Sequence, residues 1–350
     1  MRAAVYHGRE DVRIEDVAEA RPPGPGEVTL DVVRCGICGT DVAEYLRGPH
    51  LIPLEAHPVT GRRAPIVLGH EFIGTVAALG EGAGALRLGD RVASGAGVSC
   101  GACSWCRSGQ TNMCARYYTH GFQEDGGLAR RVTVPARTCS PIPAGTPDDD
   151  AALAQPLAVA IHALRRSGHP PDRPLVLLGV GGIGSLLLVA AKSRGIAVIA
   201  ADVDACALER AAALGADEVV DLAGQDLRAV VLRESGGEGA ETVMECSGRA
   251  EGLASAPGLV RRTGTLMLVG LQTEPRPIDL HDLVQREVTV RTSNAHVCAV
   301  DLPEALDLLH RRDLARLLVD RVIPLERLVP DGILAAARRE TRGKVLVRPA

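Results

Sequence analysis

Four of the ten cysteines stand within fifteen residues, at Cys100, Cys103, Cys106 and Cys114. The spacing C-x2-C-x2-C-x7-C gathers four thiolates on one short loop, the donor set of a closed tetrahedral zinc site. A disulfide-knotted loop is the competing use of such a cluster. The opening segment MRAAVYHGRE carries no apolar leader stretch, which predicts a reducing, cytoplasmic setting that favours metal over disulfide. With every coordination position filled by protein, this zinc is expected to hold together a lobe over residues 95–116 and to do no chemistry. Binding of this kind contributes on the order of 10 kcal/mol of local folding energy.

A second motif, Gly179-Val180-Gly181-Gly182-Ile183-Gly184, fits G-x-G-x-x-G. Weak alone, it is specific here because it follows the apolar run Leu175–Val180 and opens a predicted helix, Ser185–Arg194, stopped by Gly195. Gly179 permits a tight turn, Gly181 lets backbone approach a pyrophosphate, and Gly184 allows close helix–sheet packing. Gly182 and Ile183 complete a helix N-terminus whose N–H groups and positive dipole end favour phosphate. Asp202 follows Gly184 by eighteen residues, at the end of the next predicted strand, Ile196–Ala201. A carboxylate there accepts from both ribose hydroxyls of NAD and repels a 2′-phosphate, an effect that Asp204 reinforces. These residues predict NAD over NADP. A glycine-rich turn with a surface aspartate is the bland alternative.

Two kinds of scaffold are needed to position these groups. The first 140 residues read as short β runs punctuated by Gly and Pro: Val28–Val33, Ile66–Leu68, Ile73–Leu79, Arg91–Ala93 and Leu128–Val134. After Pro141-Ile142-Pro143-Ala144-Gly145 the texture changes. Asp148 to Asp150 are N-cap candidates for a helix over Ala151–Arg166, with Pro156 as a bending point. From Pro174 onward strands and helices alternate: helix Ala205–Leu214, then strands Glu218–Asp221, Thr242–Cys246, Thr265–Val269 and Val288–Arg291. Continuous apolar strands separated by helices predict a doubly wound parallel sheet. The C-terminal Gly343-Lys344-Val345-Leu346-Val347 reads as a strand that rejoins the first domain, so that the parallel-sheet unit is inserted into a discontinuous β domain with a cleft between them.

A chain of 350 residues most often makes two domains. Its net charge of −4 gives no footprint for nucleic acid or an anionic membrane. Aromatic residues make up 2%, too few for base-stacking platforms. No apolar run reaches the roughly 18–20 residues that span a bilayer.

A third group is scattered: Cys38-Gly39-Thr40-Asp41, Gly69-His70-Glu71 and Gln155-Pro156. Each is ordinary alone. Together with Cys35-Gly36-Ile37-Cys38-Gly39-Thr40-Asp41, Gly69-His70-Glu71-Phe72-Ile73-Gly74, Gly89-Asp90-Arg91-Val92, the cysteine lobe, the glycine loop and the terminal Gly343-Lys344-Val345, they make a chain that resembles the zinc-dependent medium-chain dehydrogenases from end to end. The resemblance implies an α/β protein. Its GroES-like, mostly antiparallel β catalytic domain would comprise residues 1–150 and 291–350, and its doubly wound Rossmann domain for NAD residues 151–290. It also implies two zinc ions per chain, with Cys38, His70 and either Glu71 or Gln155 as ligands of a catalytic zinc. Asp41 would orient His70, and Lys344 would be among the cofactor-binding residues. Thr40 matches the hydroxyl that bonds the substrate oxygen and starts proton transfer. Ala43 stands where many relatives place a relay histidine, which leaves water, the nicotinamide ribose or a loop residue such as His57 as the onward path.

The stretches Glu44–Pro49, His57–Gly61 and Ala64–His70 look like the butanediol dehydrogenase branch, although Gln155 and Ala43 depart from its pattern. The implied activity is hydride transfer between NAD and a secondary alcohol, whether a vicinal diol, a polyol or a related hydroxy compound. The implied assembly is a cytoplasmic homodimer or homotetramer in which Val288–His296 supplies an edge strand. A non-redox or regulatory nucleotide- and zinc-binding protein on the same scaffold is the rival.

Overall fold

The computed structural model describes residues 1–272 and 274–349. Residues 273 and 350, which fall in the predicted 151–290 and 291–350 segments, lie outside the described residues. The chain divides into two compact units, Met1–Ala158 with Val297–Ala350, and Val159–His296.

The first unit is built on sheets in which nearly all pairings are antiparallel. The long strand Glu27–Gly36 is its spine, pairing with Glu71–Leu79, with Arg131–Pro135 and with the C-terminal strand Lys344–Arg348. Lys344–Arg348 in turn runs parallel to Val319–Pro324. A smaller sheet joins Asp11–Asp16, Arg2–Gly8 and Ile66–Val67. Tyr6, Leu30, Ile66, Leu68, Phe72 and Leu128 are fully buried in this unit. Each such side chain stabilises the frame by about 1.5–3 kcal/mol.

Three sequence expectations change here. The strand predicted from Leu128 begins instead at Arg131, because Leu128 already donates its N–H to Leu68 O and Ala129 bridges Ala3. The helix predicted over Ala151–Arg166 is two helices, Asp148–Ala151 and Ala154–Ser167. Pro156 has no N–H for the carbonyl of Ala152 and its ring crowds that group. A continuous helix through this proline would lose that hydrogen bond, and the chain instead restarts a helix at Ala154 with Pro156 in its first turn. Nor do the three aspartates supply the N-cap, which is Pro147. The Asp150 carboxylate instead accepts from the N–H groups of Leu314 and Ala315, both at 2.8 Å.

The second unit is a six-stranded parallel sheet in the order Glu218–Asp221, Val198–Asp202, Leu175–Leu178, Ala240–Glu245, Val260–Leu268, Thr289–Thr292. Leu175–Leu178 and the first four residues of Val198–Asp202 are buried, as strands covered by helices on both faces must be. Chain order reverses between Leu175–Leu178 and Ala240–Glu245, and ligands of such sheets bind outside the strand ends at that point. Among the described residues, no helix is long and apolar enough to cross a membrane.

Candidate functional site

The scattered ligand candidates meet because of strand register in the first unit. Gly36 pairs with Glu71 on one side and with Leu346 on the other, which brings three distant parts of the sequence to one sheet position. Where the spine strand ends, the chain enters the helix Gly39–Arg47 with Cys38 as N-cap. Asp41, at the third helical position, accepts from Cys38 N–H at 2.8 Å. This is half of a capping box, and it holds the Cys38 backbone at the start of the helix. His70 stands directly before the strand Glu71–Leu79. Gly69 turns the chain there at φ +100°, where a Cβ would lie 2.6 Å from Leu128 N.

One sulfur, one ring nitrogen and one carboxylate oxygen, from Cys38, His70 and Glu71, all lie within 4.8 Å of one another. Zinc bonds of about 2.0–2.3 Å put neighbouring donors roughly 3–4 Å apart, so the set fits one cation with small closure. Asp41 Oδ1 faces His70 Nδ1 at 3.4 Å, and neither atom has a hydrogen-bond partner. A proton on Nδ1 directed at Asp41 leaves Nε2 as the donor for a metal. Burial opposes a charge on His70, but the Asp41 carboxylate together with Cys38 outweighs it and holds the imidazole well above its ordinary pKa. The Phe122 ring lies against His70 with centroids 4.7 Å apart, a contact that no local signal in the sequence announces.

Lys344, expected among the cofactor-binding residues, places its ammonium on Glu71. Nζ donates to Oε2 at 2.7 Å, to Oε1 at 3.0 Å and to Ile37 O at 3.2 Å. Burial pulls the Lys344 pKa down, but Glu71 together with Cys38 and Asp41 outweighs it and raises it. Gly36 makes the pairing possible, since a Cβ there would stand 2.5 Å from Glu71 Oε2. Thr40 Oγ1 is 3.7 Å from Cys38 Sγ. Gln155 is the second residue of the helix Ala154–Ser167 and is half-buried. His57 is tied to its own turn, with Nδ1 at 3.4 Å from the N–H groups of Val59 and Thr60.

The cysteine lobe belongs to the same unit and is built differently. Between residues 99 and 119 only Asn112 and Cys114 are buried, so no apolar core holds the loop. All its cysteines are free thiols. Cys103 Sγ lies 3.5 Å from Cys106 Sγ and 3.9 Å from Cys114 Sγ. A tetrahedral zinc with Zn–S of about 2.3 Å requires sulfurs about 3.8 Å apart, and the lobe meets that geometry. Backbone N–H groups of Ala102 and Cys103 lower the pKa of Cys100, and those of Ala115 and Cys106 lower that of Cys103. These two shifts favour the thiolates that a metal needs, whereas burial and the neighbouring Cys103 and Cys114 thiols raise the Cys106 pKa to about 11.

In the second unit the glycine loop follows Leu175–Leu178, and Gly181 caps the helix Gly182–Ser193. Gly179 has φ +92°, and a Cβ on Gly184 would lie 2.0 Å from Gly179 O. Gly181 and Gly182 are exposed, Ile183 half-buried. Asp202 ends its strand and grips the loop, accepting from Val180 N–H at 2.7 Å through Oδ2. Its Oδ1 accepts from Val203 N–H at 2.7 Å and Asp204 N–H at 3.1 Å. Arg210, which sequence reading passed over, donates to Ser185 Oγ at 3.1 Å and Val180 O at 3.3 Å. It sits one helix beyond Asp202, where proximity in sequence gives no sign of it.

The chain is similar to known proteins over its whole length. Residues 24–144 match the alcohol dehydrogenase GroES-like domain, and residues 182–311 match the zinc-binding dehydrogenase domain. The chain is 31% identical to a (R,R)-butanediol dehydrogenase of Neisseria gonorrhoeae, over 100% of this chain and 99% of that one. It is 34% identical to a sorbitol dehydrogenase of Halalkalibacterium halodurans, over 87% of each. Its fold superposes on the crystal structure of 2R,3R-butanediol dehydrogenase from Bacillus subtilis with a TM-score of 0.92 at 30% identity, covering 100% of this chain and 99% of that one.

Proposed function

The chain belongs to the zinc-dependent medium-chain dehydrogenases, and from that premise we propose that Cys38, His70 and a third protein group hold the zinc at which it oxidises a vicinal diol or polyol with NAD. At the coarser level it is a zinc-dependent oxidoreductase of secondary alcohols or polyols that uses a nicotinamide dinucleotide. The rival reading, a non-redox scaffold, finds no support. One observation carries the site assignment: the Cys38, His70 and Glu71 donors converge, with Asp41 behind the His70 ring.

Zinc, when bound, supplies the Lewis acidity that lowers the pKa of a coordinated hydroxyl, and NAD supplies the hydride acceptor. The protein's own groups do the rest. Asp41 accepts from the Cys38 N–H, and its Oδ1 faces His70 Nδ1 at 3.4 Å, which supports it as the group that orients both donors. The engagement of both Glu71 oxygens by Lys344 supports Gln155 over Glu71 as the third donor. An amide leaves the site less anionic than a carboxylate. Thr40 Oγ1 takes the hydroxyl proton of the substrate and passes it on. Ala43 has no proton to exchange and His57 Nδ1 serves its own turn, which supports an onward path through water or the ribose hydroxyls.

In the second unit, residues Gly179 to Gly184 receive the pyrophosphate. The Asp202 carboxylate disfavours a 2′-phosphate, which supports NAD over NADP. The cysteine lobe takes a second, structural zinc. Every residue of the edge strand Thr289–Thr292 is exposed, which supports pairing of two copies in a homodimer or homotetramer.

The test is NADH formation with a panel of vicinal diols and polyols, for wild type and for Cys38→Ser. Wild type should turn over at least one of them. Loss of a zinc ligand should lower kcat/KM by roughly 1000-fold or more, the rate equivalent of several kcal/mol of lost stabilisation. Full activity in Cys38→Ser, or a wild-type preference for NADP, would overturn the assignment of Cys38 or of Asp202 respectively.

A further inference from the structure

Glu245 is the last residue of the strand Ala240–Glu245 and is 0% exposed. It pairs with Leu178 across the point where strand order reverses, one residue before the glycine loop. A buried carboxylate is costly unless donors satisfy it. Here the donors all come from the turn that follows. Oε1 accepts from Ser247 N–H at 2.7 Å, from Ser247 O–H and from Gly248 N–H at 3.1 Å. Oε2 has no hydrogen-bond partner.

The turn so held stands directly against the dinucleotide loop. A Cβ on Gly179 would lie 2.8 Å from Ser247 N and 2.9 Å from its Cα. The space around the carboxylate is equally tight. A Cβ on Gly270 would lie 2.8 Å from Glu245 Oε2 and 2.2 Å from Gly248 N, and one on Gly252 would lie 2.9 Å from Oε1. Gly270 and Val269 also donate their N–H groups to Glu245 O, both at 2.9 Å. Three segments, 178–179, 245–248 and 269–270, therefore lock together around one carboxyl group.

We infer that Glu245 is a positioning residue for the dinucleotide: it holds the Ser247–Gly248 turn against Gly179 so that this wall of the nucleotide site is formed before the cofactor arrives. The inference rests on reading Gly179 to Gly184 as the dinucleotide loop. Preformed walls raise affinity because binding then orders fewer groups. What the turn requires is an acceptor at Oε1, not a charge, since every partner is a neutral donor.

Titration of the zinc-loaded protein with NADH, together with steady-state kinetics, tests this. Glu245→Ala should raise the NADH Kd and the NAD KM about tenfold, the equivalent of about 1.4 kcal/mol. It should leave the alcohol KM, the zinc content and kcat at saturating NAD within about twofold of wild type. Glu245→Gln, which keeps Oε1, should restore NADH affinity to within about threefold. Ser247→Ala removes one of three donors and should weaken NADH about threefold, so it carries the test if Glu245→Ala does not fold. A Glu245→Ala protein with wild-type NADH affinity and only a lower melting temperature would overturn the inference. So would Glu245→Gln behaving like Glu245→Ala, because the charge would then matter. If wild type failed to bind NADH, the dinucleotide reading would fall as well, whereas normal binding by Glu245→Ala sinks this inference alone.

Discussion

The two cysteine-bearing clusters of the first unit reach a similar donor geometry by opposite means. In the lobe, four thiols come from fifteen consecutive residues with almost nothing buried around them. At the other cluster, Cys38, His70 and Glu71 are gathered by sheet register and a helix cap, with His70 and Glu71 buried and the Asp41 and Lys344 charges packed around them. A local cluster closes a short loop and needs no prior fold to bring its donors close. The dispersed cluster exists only after the sheet has formed. The lobe should therefore depend on its metal for structure, while the dispersed site should depend on its neighbours for geometry.

The sharpest way to break this contrast is Cys106→Ser. It should cost one zinc per chain and open residues 95–116 to protease, a local loss on the order of 10 kcal/mol, while the Cys38–His70 site keeps its metal. A lobe that stays protected without zinc would show that packing, not metal, holds it. Next in size is Lys344→Met, which leaves Glu71 buried without its counter-charge. Global stability in urea should fall by about 3–5 kcal/mol, and adding Glu71→Gln should recover most of it. If Lys344→Met costs nothing, the dispersed cluster does not rely on the pair that surrounds it. The finest probe is Asp41→Asn, which keeps the fold but weakens the acceptor facing His70 Nδ1. Competition with a chelator should show zinc affinity at the dispersed site reduced about 10–100-fold. The lobe should lose none.

How much the sequence revealed follows the same division. Spacing alone exposed the cysteine lobe and the glycine loop, because both are local motifs whose function depends on consecutive residues. The alternation of strands and helices gave the parallel sheet, and Glu218–Asp221 agrees at both ends. The first hairpin, Arg2–Gly8 with Asp11–Asp16, and the helix Gly39–Arg47 were not anticipated. Cysteine as an N-cap hides a capping box that serine or threonine would have advertised. For the dispersed ligands, residue types supplied candidates, and only the resemblance to a family joined them.

The amino-acid order by itself determined the two local sites and the class of fold, since short-range spacing and hydrophobic period need no knowledge of distant partners. Only the tertiary structure decided that Lys344 serves Glu71, that Asp150 accepts from Leu314 and Ala315, and that Glu245 holds the turn beside Gly179. Buried charges take whichever partner the register of sheets and helices places within about 3 Å, and that register is set by burial of the whole core.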